Sequence, residues 1–135
     1  MKISILLPYK ENFSPNYAGA VSLFVKDITK ISKYKKNIYI YGNTKFKKTF
    51  SLKYINLNLN KTFIESQSEK YIEKFAKEEK KFNSDIIEIH NRPTYLSYLI
   101  KENINDVKYV IYFHNDPLSM RGSKTIKERI FLLEN

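Results

Sequence analysis

A doubly wound α/β fold, with a parallel sheet carrying helices on both faces, is the class that three observations on this sequence predict. Segments of strand character alternate with segments of helical period, the first segment from Lys2 to Pro8 is nearly continuous in apolar residues, and the polar or unusual residues gather where strands end. The 135 residues suit one compact domain, and 42% apolar residues, with 11 Tyr and 9 Phe, supply a sizeable core.

The elements follow in order. Ile3, Ile5, Leu6 and Leu7 make a buried first strand that Pro8 stops. A loop runs from Tyr9 to about Ala18. From Gly19 onward Val21, Phe24, Ile28 and Ile31 recur at helical spacing, with Leu23 beside them, and are expected to face inward. Asn37 to Tyr41 is a short strand ended by Gly42, and Leu52 to Leu57 is another, with the Lys-rich Thr44 to Lys48 stretch between them as a turn or edge. Ser66 to Phe82 sets Tyr71, Ile72, Phe75, Ala76 and Phe82 among Glu and Lys, the pattern of an amphipathic surface helix.

After a turn at Asn83 and Ser84, Asp85 to Ile89 is a strand. The next helix is expected to be capped by Asn91, to carry Pro93 in its first turn and to bury Leu96, Leu99 and Ile100 before Asn103 ends it. Val107 to Phe113 is the most hydrophobic strand after the first. His114 to Gly122 is a polar loop, and Thr125 with Glu128 reads as a capping box for a helix with Ile126, Ile130 and Leu133 on one stripe. That helix has no C-terminal cap signal, so the expected unit, residues 1–135, is an incomplete domain. Five such strands match half of a doubly wound sheet, with a ligand cleft at the strand ends between the first strand and the Asp85 strand.

Composition narrows the function classes. A formal charge of +10 would ordinarily raise nucleic acid or an anionic membrane as partners. Almost all of it is Lys, with guanidinium only at Arg92, Arg121 and Arg129, whereas base and phosphate recognition favours the Arg fork. Nucleic acid is therefore not expected. Peripheral contact with anionic membrane stays compatible with the sequence, through a face such as Lys74, Lys77, Lys80 and Lys81, although a solvated helix face is the reading those lysines favour. The absence of Cys excludes disulfides, Cys-ligated zinc and thiol nucleophiles, and suits a reducing, cytoplasmic setting. No apolar run is long enough for a signal core or a membrane span.

The first strand delivers Tyr9, Lys10 and Glu11, the Asp85 strand delivers His90, Asn91 and Arg92, and the Val107 strand delivers His114, Asn115 and Asp116. Both histidines of the chain thus occupy equivalent places at adjacent strand ends. Ala18, Gly19 and Ala20 open the first helix, where small residues let phosphate approach free N–H groups and the helix dipole favours its charge. The fingerprint G-x-G-x-x-G and the P-loop pattern are both absent, which disfavours NAD, FAD and P-loop chemistry. A metal held by His90, His114 and Asp116 is not expected, because Asp116 before Pro117 is placed to start a turn. Arg121 and Lys124 beside Gly122 either hold phosphate or are solvated.

The strand Lys2-Ile-Ser-Ile-Leu-Leu-Pro8, the loop to Tyr17-Ala-Gly-Ala20, the stretch Asp85-Ile-Ile-Glu-Ile-His-Asn-Arg-Pro93, and Tyr112-Phe-His-Asn-Asp-Pro117 with Met120-Arg-Gly-Ser-Lys124 together resemble family 4 glycosyltransferases. The resemblance implies the acceptor-side, Rossmann-like N-terminal domain of a GT-B enzyme. Such enzymes transfer sugar with retention from a nucleotide-sugar to a glycan or lipid-linked acceptor, in lipopolysaccharide, capsule and other glycan synthesis. Neither a cofactor nor a metal is implied. The C-terminal domain that would hold most of the donor, with a Glu-x7-Glu-type motif, is absent from these 135 residues. By motif position, Ala18, Gly19 and Ala20 would lie near the donor diphosphate and His114 would be catalytic, against the donor sugar. Tyr9, His90, Asn91, Arg92, Asn115, Asp116, Arg121 and Lys124 would line the cleft towards the acceptor. The fragment alone is expected to have no measurable transferase activity. The other reading the residues leave open is a Rossmann-like nucleotide or phosphate-binding module without turnover.

Overall fold

The computed structural model describes residues 1–59, 66–104 and 106–135. Five strands form one sheet: β1 (Ile3–Leu6), β2 (Ile38–Gly42), β3 (Tyr54–Asn56), β4 (Ile86–His90) and β5 (Lys108–Tyr112). Their order is β3-β2-β1-β4-β5 and every pair is parallel. β1 is therefore central, and the chain first winds outward to β3 and then crosses back to β4 beside β1. The predicted switch point between the first strand and the Asp85 strand is where the sequence reading put it.

Four helices flank the sheet: α1 (Ala20–Ile31), α2 (Gln67–Phe82), α3 (Thr94–Lys101) and α4 (Ile126–Glu134). Because strand residues alternate between faces, Ile3, Ile5, Ile38 and Ile40 meet Val21 and Val25 of α1 and the loop residue Phe13 on one side. On the other, Leu6, Tyr41, Ile87 and Ile89 meet Tyr71, Ile72 and Phe75 of α2 and Leu96 and Leu99 of α3. This second cluster is the larger core, and Phe131 and Leu132 of α4 pack onto its margin.

Several local expectations change. In α1 the buried residues are Val21, Ser22 and Val25, while Phe24 and Ile31 are exposed. Two stripes one residue apart compete on that helix. The one with small side chains settles on the sheet, and Phe24 is left to meet the ends of β4 and β5. The third strand is shorter than Leu52 to Leu57, and Leu52 lies fully exposed before it. In α3, Tyr95 is buried in place of the expected Ile100, which is exposed. β5 is an edge strand whose Tyr109 and Ile111 pack inward while Val110 and Tyr112 stay exposed. The expected α4 stripe of Ile126, Ile130 and Leu133 is exposed too. The predicted capping box at Thr125 and Glu128 is present, with Glu128 N–H donating to Thr125 Oγ1 at 3.2 Å and Thr125 N–H to Glu128 Oε2 at 2.8 Å.

One buried acid was not foreseen. Glu79 of α2 is fully buried; its carboxylate accepts hydrogen bonds from Ser4 Oγ on β1 and from Ser84 N–H at 2.7 Å. The Ser4 and Ser84 hydroxyls lie 2.6 Å apart. The group ties α2, the central strand and the entry to β4 to one carboxylate, which is tolerable inside only because its lone pairs are filled.

No helix among the described residues is long and apolar enough to cross a membrane.

Candidate functional site

At the carboxyl end of β4 the chain must turn sharply away from the sheet, and Asn91 does this in the left-handed region with φ 55°. Its backbone N–H donates to Tyr112 O at 2.8 Å, extending the register with β5 by one residue. Its Oδ1 lies 3.4 Å from the His114 N–H that it accepts. Asn91 is thus not the cap of α3, a position that Pro93 holds. It aligns the exit of β5 so that His114 faces back across the top of β4.

The two histidines meet there. His90 is fully buried, and its Nδ1 lies 2.9 Å from His114 Nε2. The Tyr112 ring stacks on His90 at 4.9 Å and 6° between planes, and Phe24 meets His114 edge-on at 4.9 Å. On the far side of His90, Nε2 faces Glu88 Oε2 at 3.6 Å, and neither atom has a hydrogen-bond partner among the described residues. Glu88 and His90 are two apart on one strand, so both project from the same face.

This order constrains the protons. A carboxylate is acceptor-only, so the neutral tautomer of His90 that suits it carries hydrogen on Nε2 and leaves Nδ1 as an acceptor. His114 then donates through Nε2–H, and its own Nδ1 keeps the lone pair. Burial, and next the neighbouring His90, lower the His114 pKa below the ordinary histidine value, while Glu11 pulls the other way. His114 is held as a neutral imidazole with an acceptor nitrogen, a group suited to general base work or to accepting a hydroxyl hydrogen bond.

The start of α1 differs from expectation in what occupies it. Gly19 is the N-cap, and the carboxylate of Glu11 lies against it, with Oε1 accepting Ser22 N–H at 2.9 Å. A methyl on Gly19 would stand 2.2 Å from that oxygen and would push the flexible Glu11 carboxylate aside, while the φ of −81° is open to any residue. The end of α1 between Ala18 and Ala20, read as a phosphate cradle, already holds an anion from its own chain.

The remaining candidates are spread more widely. Tyr9 turns into the α2 and α3 core, its N–H donating to Tyr95 Oη at 3.1 Å. Arg92 Nη1 donates to Asn91 O at 2.8 Å and braces the turn that carries the site. Asn115 is exposed, and Asp116 is spent on a turn, its Oδ1 accepting Leu118 N–H at 2.9 Å. Arg121 lines a separate open cleft of about 340 Å³ between α3 and α4, with Thr94, Phe131 and Leu132. Lys124 is exposed, and its carbonyl accepts from Arg129 Nη1 at 2.8 Å. His90, Asn91, Arg92 and His114 therefore form one site, to which Glu11, Phe24, Glu88 and Tyr112 are added. The period-two spacing of Glu88 and His90 was the available signal for the acid. Phe24 was hidden by its helical spacing, which placed it in the core.

Among the described residues no group of three or more His, Asp or Glu side chains is arranged to hold a metal ion. Comparison with family models, with curated proteins and with solved structures finds no match to this chain.

Proposed function

We propose that this chain is the acceptor-side part of a retaining glycosyltransferase that moves a sugar from a nucleotide-sugar to a glycan or lipid-linked acceptor of cell-envelope polysaccharide, with His114 at the reacting sugar. The observation that carries the reading is the contact of His114 Nε2 with buried His90 Nδ1 at the carboxyl ends of β4 and β5, within the field of Glu11. Sugar hydroxyls bring donors that need acceptors. The lone pair of His114 Nδ1 and the Glu11 carboxylate are acceptors, and the partly exposed ring of Phe24 suits the apolar face of a pyranose.

As the bond between the anomeric carbon and the phosphate oxygen breaks, positive charge grows on the sugar ring and negative charge on the leaving diphosphate. A neutral imidazole orients a hydroxyl of that sugar without adding repulsive charge, and the carboxylate nearby favours the cationic character. Phosphate reaches Gly19 only once Glu11 leaves the end of α1, so diphosphate binding there is conditional on a side-chain movement. The same acid stands in the way of phosphate in a binding module without turnover, so a dependence of binding on the sugar is what separates the two readings.

The test is a titration of the isotope-labelled chain with a panel of uridine and guanosine diphosphate sugars and with the parent nucleotides, followed by NMR. Shifts centred on His114, Asn91 and Phe24 that need the sugar are expected. Equal responses to nucleotide and nucleotide-sugar centred on Gly19 would overturn the transferase reading in favour of the binding module.

A further inference from the structure

The positive charge of this chain is not spread evenly. Nine lysines and a single acid, Asp27, fall between positions 26 and 53, a net +8 of the total +10. Lys45, Lys47 and Lys48 follow the carboxyl end of β2, while the other six, Lys26, Lys30, Lys33, Lys35, Lys36 and Lys53, lie on the latter part of α1, the turn into β2 and the entry to β3, toward the amino end of the strands and opposite the His pair. α1 ends there, a 3-10 turn (Lys35–Asn37) enters β2, and Lys53 enters β3 with its carbonyl accepting Ile40 N–H at 3.1 Å. Lys53 Nζ donates to Lys36 O and lies 4.9 Å from the Tyr39 ring centroid, fixing the loop to the turn. Lys26, Lys30, Lys35 and Lys53 line one open groove of about 590 Å³ with Phe50 and Leu52.

Two aliphatic side chains stand out of this basic face. Leu52 is fully exposed, and Ile31, flanked in sequence by Lys30 and Lys33, is 85% exposed. Leaving both in water forgoes the gain that burying an apolar side chain brings. Within this segment the one acid pairs with Lys26 at 3.1 Å, whereas on α2 Lys74 Nζ donates to Leu57 O and Asn58 O, Lys80 lies 3.8 Å from Glu102, and Lys81 lies 2.9 Å from Glu78.

We propose that the face formed by the end of α1 and the loop before β3 docks on an anionic lipid bilayer, its lysines over headgroup phosphates and Leu52 and Ile31 entering the interface. Charge complementarity supplies the long-range attraction, and the exposed aliphatics choose lipid over nucleic acid. A nucleic-acid surface of the same charge would call on Arg and on exposed aromatic stacking; the 26–53 segment holds no Arg, and its two most exposed apolar side chains are aliphatic. This inference is independent of the reading of the His pair.

The experiment is co-sedimentation of the full chain with vesicles of phosphatidylcholine alone and with phosphatidylglycerol added, at low and at physiological salt. Binding to the anionic vesicles only is expected. The triple variant Lys30→Glu, Lys35→Glu and Lys53→Glu should lose it by about tenfold or more. The pair Leu52→Ser and Ile31→Ser, which leaves the charge unchanged, should weaken it several-fold, and the surface position of both residues keeps the fold, checked by circular dichroism. Reversal of Lys77, Lys80 and Lys81 gives the same net charge as the first variant and should cost much less. Equal losses from the two triple variants, no loss from the Ser pair, or tighter binding to an unstructured polynucleotide than to the vesicles would each overturn the proposal.

Discussion

His90 Nδ1 and His114 Nε2 lie 2.9 Å apart, with their rings stacked at 5.2 Å and His90 closed off from water. Two protonated rings at that distance would repel, so the pair favours at least one neutral imidazole, and the half-exposed His114 is the ring whose pKa is lowered. Replacing the inner ring by an apolar one of similar size, His90→Phe, removes both the neighbour and the acceptor for His114 Nε2–H. Burial, the first cause of the lowering, is kept by the Phe, so His114 should titrate only somewhat higher, part of the way towards the ordinary value of about 6.5. The proton NMR shifts of its ring against pH measure this, and an unchanged titration would mean the pair is not coupled.

Alkaline pH tests the other titrating set. Tyr71, Tyr41, Tyr54 and Tyr95 all have raised pKa values, caused first by burial, with Tyr95 pushed up to about 12. The unfolded chain loses these protons near the ordinary tyrosine value of about 10 while the folded chain keeps them. Unfolding then releases protons, so stability falls as pH rises above that value. A thermal unfolding series across the alkaline range should show a falling midpoint. Tyrosinate absorbance from these four should appear with unfolding rather than before it.

Inside the sheet, Glu79→Ala is expected to be costly. It removes the acceptor of Ser4 Oγ and Ser84 N–H, both enclosed, and the destabilisation should be about 2–4 kcal/mol by denaturant unfolding. Glu79→Gln keeps one acceptor oxygen in the same place and should lose about half as much. Equal costs for the two variants would assign the effect to side-chain volume rather than to the hydrogen bonds.

How much of this was legible in the sequence depends on whether local pattern or tertiary competition decides. The near-continuous apolar run at Ile3 to Leu7, stopped by Pro8, reads as a strand buried on both faces, and alternation with helical segments then points to a parallel sheet and its switch point, as observed. His90 and His114 were readable because strand ends in such a sheet share one edge. Glu79 was not, since a Glu among the Lys and Glu of α2 looks solvated until Ser4 and Ser84 are seen beneath it. Nor was the setting of α1, where Ser22 and Val25 outcompete Phe24 and Ile31 for the sheet. The Asp116 turn was foreseen, whereas its place in a cleft was not sustained.

The contact between Glu11 and Gly19 yields the most direct test of what the site accepts. The carboxylate occupies the amino end of α1, where a phosphate of the same sign would be drawn, and Ser22 N–H is already committed to it at 2.9 Å. Glu11→Ala frees that N–H and removes the repulsive charge, so pyrophosphate should bind about tenfold more tightly than to the parent chain, a modest share of the Coulomb energy after solvent and salt screening. The same variant should lose about 1 kcal/mol of stability, because the helix end loses its acceptor. Gly19→Ala separates the two effects. Its methyl would meet Glu11 Oε1 at 2.2 Å and must displace the carboxylate, yet it also fills the space through which a phosphate would approach. It should therefore destabilise the chain without the gain in pyrophosphate affinity. Calorimetric titration of the three proteins with pyrophosphate reads the affinity, and thermal unfolding reads the stability. Should Glu11→Ala bind pyrophosphate no better than the parent, Glu11 serves the helix end alone and this end of α1 is not a phosphate site.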